Sequence, residues 1–162
     1  MTSFLDPEFE PPVERAGFRV RRARLGRQAG AEHLGVSLFE IEPDNAPFPL
    51  HFHFGNEELL IVLSGTTALR TLDGERELAE GEVVSLPAGE DGIHQVINRG
   101  DGPARVLIVS EMNAPDVVVR PEASKLSAFG APPGVPEGFH DAYYRRDAVS
   151  FWEGEPAPPP PP

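Results

Sequence analysis

The chain has 162 residues, room for one compact domain with extended ends but too few for two well-buried cores. Its 26 Asp and Glu against 14 Lys and Arg give a formal charge of −12, which argues against nucleic acid and an anionic membrane as partners. Cysteine is absent, which excludes disulfides, thiolate ligands and a thiol nucleophile, so any metal falls to imidazole and carboxylate.

Residues 1–16 carry Pro7, Pro11 and Pro12 among acidic side chains, a composition that predicts an extended arm. No stretch approaches the roughly 20 apolar residues that span a bilayer. The first residues lack a basic segment followed by an apolar one. The expectation is therefore a soluble, cytoplasmic protein. A basic run at Arg19, Arg21, Arg22 and Arg24 alternates in a way that predicts the solvated face of an edge strand.

From Phe18 to Val119 the pattern is one short strand after another. Strands are predicted over 18–25, 34–42, 48–54, 59–64, 66–72, 75–79, 82–87, 93–98, 104–111 and 117–120, with no sustained helical period among them. Asp73-Gly74 supplies the positive φ of a tight hairpin, and Asn98 to Pro103 marks a second reversal. Such spacing predicts a β-sandwich or a small barrel and does not choose between them. Beyond Val119, Pro, Gly and Ala predict an irregular excursion through Gly138, after which Tyr143, Tyr144, Phe151 and Trp152 return the chain to the body as a short helix or strand. The closing prolines predict an unpacked polyproline II tail.

Chemistry concentrates in a few side chains. His51 and His53 are one residue apart in an apolar stretch, so on a strand both imidazoles share one face. Gly55-Asn56 can turn the chain and return a carboxylate to that face, either Glu57 or Glu58, at the mouth of the apolar run Leu59 to Leu63. Some forty residues later His94 shares a face with Val96 and Asn98. His33 and His140 have no such setting and are expected at the surface, and Lys125, the only lysine, lies after the barrel strands, which disfavours Schiff-base chemistry.

At these residues the sequence resembles the cupin superfamily, in its small single-domain form. The first motif reads His51-Phe52-His53, four residues, Glu58, six residues, Gly65. The second reads Gly81, five residues, Pro87-Ala88-Gly89, four residues, His94, three residues, Asn98. Asn45 replaces the opening glycine of the first motif as a residue that tolerates positive φ. The second motif carries two extra residues before His94, an insertion expected to stay in a loop.

The resemblance implies an all-β double-stranded β-helix, or jelly-roll barrel, with residues 1–16 as an arm, 17–120 as the barrel, 121–154 as an irregular segment packed on it and 155–162 as a disordered tail. It implies one divalent transition metal ion (Fe, Mn, Ni, Zn, Co or Cu) held by His51, His53, Glu58 and His94. Glu58 is preferred to Glu57 by its six-residue gap to Gly65, and Glu57, Gln95 and Asn98 are candidates for orienting the ligands. Four ligands leave open positions on a six-coordinate ion for a small-molecule ligand. The implied function is a metal-dependent dioxygenase, isomerase or decarboxylase, with a non-catalytic binding or sensor protein as the alternative. A homodimer is expected, with the arm and the aromatic C-terminal segment as wrapping extensions. The absence of a helix-turn-helix segment disfavours a one-chain regulator. A storage role is disfavoured because it pairs two barrels.

Overall fold

A computed structural model describes residues 2–132, 135 and 138–157. The described chain is almost entirely β. A six-stranded antiparallel sheet has the order β1-β2-β3-β10-β5-β8, built from β1 (Val13–Arg15), β2 (Phe18–Arg24), β3 (Leu34–Ile41), β10 (Ala104–Glu111), β5 (Glu58–Ser64) and β8 (Val83–Leu86). A three-stranded sheet joins β7 (Gly74–Leu78), β6 (Thr67–Thr71) and β9 (Gln95–Asn98). A four-stranded sheet joins β13 (His140–Tyr144), β12 (Lys125–Phe129), β11 (Asp116–Arg120) and β4 (Phe52–His53). The result is a jelly-roll barrel, as the cupin-like motifs imply.

Alternation fills the barrel. Val20, Phe39, Ile41, Leu60, Val62, Leu69, Val96, Val106 and Ile108 point inward and are almost wholly shielded from solvent, together with Leu78 and Leu86. At about 25 cal/mol per Å² of apolar surface removed from water, each fully buried Leu or Val contributes roughly 1.5–3 kcal/mol. A smaller cluster of Ala23, Leu25 and Leu38 covers the opposite face of the large sheet, with Phe9, Val36, Leu63 and Leu107 packed against it.

The structure departs from the sequence reading in four places. The stretch 48–54 pairs only over Phe52–His53, with a lone bridge at His51, because Pro47 and Pro49 have no N–H to give a ladder. A five-residue helix, α1 (Leu25–Ala29), follows β2 and ends at Gly30, whose φ of +85° the glycine permits. The basic strand β2 is not an edge: β1 pairs with its first half and the Glu10 N–H bonds the Arg22 carbonyl. Residues 121–154 are not irregular throughout, since β12 and β13 extend the four-stranded sheet.

That C-terminal segment is held by strand pairing and not by its aromatics. Phe151 and Trp152 are 82 % and 76 % exposed, and Tyr143 and Tyr144 also face solvent. The polyproline reading of the tail falls mostly on residues 158–162, which lie outside the described residues. Among the described residues no helix is long and apolar enough to cross a membrane.

Candidate metal centre

His51 and His53 stand on one side of β4 and its approach, with ring centroids 5.1 Å apart. His94 reaches them through a backbone bridge in which the His94 N–H bonds the His51 carbonyl (2.9 Å) and the His51 N–H returns the bond (3.1 Å). The two rings then lie 4.5 Å apart. The two extra residues before His94 are taken up by a tight turn at Glu90–Gly92. Gly92 is obligatory there, because a Cβ would lie 1.8 Å from the Pro87 carbonyl oxygen.

Glu58 opens β5 and turns inward, where one carboxylate oxygen lies 3.5 Å from His94 Nε2 and 3.8 Å from His53 Nε2. Two ligand atoms each about 2.1 Å from one ion stand roughly 3–4 Å apart, so these spacings suit a shared ion. Donor atoms of His51, His53 and Glu58 all fall within 4.8 Å of one another. Glu57 faces the other way: it is exposed, accepts from Ser85 Oγ (3.2 Å), and its N–H bonds Glu111.

Each imidazole is oriented through its Nδ1. His51 donates to the Pro49 carbonyl (3.0 Å), His94 to the Gly92 carbonyl (2.8 Å) and His53 to the Asp116 carboxylate (2.6 Å). This arrangement places the proton on Nδ1 and leaves the Nε2 lone pair for the centre, the tautomer a metal requires. His94 Nε2 is buried and has no hydrogen-bond partner among the described residues. A buried imidazole nitrogen left without a partner is costly, and a cation beside Glu58 would satisfy it.

Electrostatics agree with the donor set. Burial, followed by the neighbouring His94 and His53, pushes the His51 pKa well below its ordinary value. Burial likewise lowers that of His94, so both rings are neutral and able to coordinate at neutral pH. Burial opposes protonation of His53, but the bond to Asp116 and the charge of Glu58 outweigh it and raise its pKa. Asp116 is held below the usual carboxylate range because bonds from His53 and the Gly55 N–H (2.9 Å) overcome its own burial.

Asp116 is the ligand-orienting residue that sequence reasoning missed. It shares the inward parity of Val118 on β11, a readable signal, and Gly55 allows its close approach, since a Cβ at Gly55 would lie 3.1 Å from Asp116 Oδ1. Gln95 and Asn98 hold backbone instead. Gln95 donates to the Phe48 carbonyl (3.0 Å), whereas Asn98 donates to the carbonyls of Ile41 and Gly102 (both 2.8 Å). Asn45 does not adopt positive φ. The neighbouring Asp44 does (57°), and Asn45 accepts from the Arg19 N–H (2.9 Å).

The centre opens into a cavity of about 540 Å³ lined by His51, His53, Glu58 and Asp116, with Phe39 and Phe48 among its apolar walls. The Phe48 ring lies edge-on to His51 and His94, at 4.7 and 5.4 Å. Arg22 and Arg24 also line it, so half of the basic run faces inward. His140 lines a smaller adjoining cavity and stacks on Phe129. His33 is exposed and lines neither cavity.

Comparison with known proteins agrees with this architecture. The family described as "Cupin domain" matches residues 37–110. A germin-like protein, subfamily 3 member 3, of Arabidopsis thaliana is 30 % identical over 101 residues, 59 % of this chain and 47 % of that protein, so the match spans about half the length of that relative. A sugar phosphate isomerase from a cupin superfamily, from Silicibacter pomeroyi, superposes with a TM-score of 0.77 at 21 % identity over 93 % of this chain and 97 % of its own. A polyketide cyclase from Streptomyces resistomycificus does so with a TM-score of 0.58 at 25 % identity, over 72 % and 82 % of the two chains.

Proposed function

We propose that the chain, whose residues 37–110 match the cupin domain family, is a cupin and a metal-dependent enzyme holding one divalent transition metal ion through His51, His53, Glu58 and His94, and acting on a small oxygen-bearing organic molecule in the barrel. The observation that carries this reading is the set of imidazoles fixed through Nδ1, with a buried, unpartnered His94 Nε2 beside Glu58.

Such an ion, when bound, polarises a substrate oxygen or carboxylate as a Lewis acid. The chain's own residues do the rest. Glu58 offsets part of the ion's charge, and Asp116 fixes the ring plane of His53 and strengthens its basicity. Phe48 walls one side of the centre with apolar surface, which excludes water from the imidazole faces and strengthens electrostatic interactions there.

Elemental analysis after metal-replete expression tests the reading. The expected result is about one divalent transition metal ion per chain, with loss of that metal in His51→Ala. Wild-type protein that carries no such ion would overturn it. A bound small molecule recovered chemically unchanged after long incubation with the metal-loaded protein would favour a binding or sensor role over catalysis.

A further inference from the structure

The inner face of β2 carries Val20, Arg22 and Arg24. Their partners on β3 are Ile41, Phe39 and Ser37, and two of these, Phe39 and Ile41, belong to the apolar core together with Val20. The same rows continue through Val106 and Ile108 of β10 to Val62 and Leu60 of β5. Two arginines thus occupy positions that β3, β10 and β5 mark as interior, and their side chains are only partly shielded there, 39 % exposed for Arg22 and 24 % for Arg24. Arginine at such positions carries a desolvation cost that an aliphatic residue would not.

Both arginines line the cavity that His51, His53 and Glu58 also line. They are drawn together by Glu10 of the arm, one of whose oxygens lies 2.7 Å from Arg22 Nη2 and the other 2.9 Å from Arg24 Nε. Glu10 shows what the pair selects: a carboxylate taken between two guanidiniums, the arrangement that suits carboxylate and phosphate oxygens in general. Between Arg22 and the histidines the wall is aromatic, with Phe39 edge-on to Phe48 at 5.9 Å and Phe48 in turn against His51 and His94.

We propose that Arg22 and Arg24 form an oxyanion seat within the substrate cavity, selecting a small organic carboxylate or phosphate whose anionic end displaces Glu10 while its other end faces His51, His53 and Glu58. The inference rests on the reading of this cavity as the substrate site. It gives an acidic protein a local means of capturing an anion, and it makes Glu10 an internal competitor for the seat.

The test uses metal-free full-length protein, so that its outcome is independent of whether metal binds. Inorganic phosphate and succinate are titrated separately by calorimetry. At least one is expected to bind saturably: phosphate alone identifies a phosphate seat, succinate alone a carboxylate seat. R22M/R24M is expected to weaken that binding at least about tenfold, the scale of losing charge-assisted bonds. E10Q, which alters only the partly exposed arm, is expected to tighten it several-fold. Binding of neither anion to the wild type, equal binding by a folded R22M/R24M protein, or unchanged or weaker binding by E10Q would overturn the proposal.

Discussion

The two ends of the barrel are built from the same strands and differ in what those strands turn inward. Deep in the barrel β5 contributes Leu60 and Val62, β2 contributes Val20 and the His94 segment contributes Val96, all close to fully buried. One or two alternations away the same segments present Glu58, Arg22 and Arg24 to the cavity, and His94, itself buried, to Glu58. The periodicity and pairing are continuous across the change, so the fold alone does not require ionisable groups at that end. The closed end is apolar because apolar burial stabilises it, whereas the open end carries charged and imidazole groups that burial penalises.

That contrast predicts opposite responses to substitution. Leu60→Ala in the closed end should lower the unfolding free energy by about 2–5 kcal/mol, the range for emptying a well-packed aliphatic site. Metal content per folded chain should stay at the wild-type level. Denaturant unfolding together with elemental analysis checks both, and a loss of metal from folded Leu60→Ala protein would show that the two ends are not separable.

How much of this could be read from the sequence depends on the range of each interaction. His51 and His53 share a side because a strand has period two, and that parity survives even though Pro47 and Pro49 leave only two residues in the ladder. The inward turn of Glu58, with Glu57 exposed, depends on which residue begins β5, and the residues around them left both open. Arg21 and Arg22 are adjacent and must point to opposite faces of one strand. Treating the basic run as a single solvated face therefore conflicted with the same parity rule, and Arg22 and Arg24 in fact line the cavity. The pairing of β12 with β13 was hidden by a segment rich in Pro, Gly and Ala, and the contact of Asp116 with His53, though not the inward parity of Asp116, by a separation of 63 residues. Neither is a local signal.

Asp116 sharpens the comparison further, because it supports the open end without belonging to the proposed ligand set. Asp116→Asn retains an acceptor for His53 but loses the charge, and should weaken metal affinity by about 10–100-fold, roughly 1.4–2.7 kcal/mol. A role exerted through His53 has a distinct signature: in a His53→Ala background the same substitution should weaken metal binding no further, whereas two independent roles would add. Competitive chelator titration measures both.

The smallest expected effect lies on the outer surface, away from both ends. Arg99 makes a two-pronged contact with Glu75, Nη2 to one oxygen at 2.7 Å and Nε to the other at 3.1 Å, tying β7 to the turn after β9. The hydrogen bonds from Arg99 hold the Glu75 pKa below the usual carboxylate range. A carboxylate with a depressed folded-state pKa contributes stability that is present above its unfolded pKa and is lost as pH falls through the folded one. Glu75→Gln should therefore be slightly less stable than wild type at neutral pH, by under about 1 kcal/mol given solvent screening of an exposed pair. The gap should close on acidification below the ordinary carboxylate range and shrink with added salt. Thermal unfolding of both proteins across pH and ionic strength measures the difference. A gap that persisted at low pH would mean that Glu75 contributes through packing of its side chain and not through its charge.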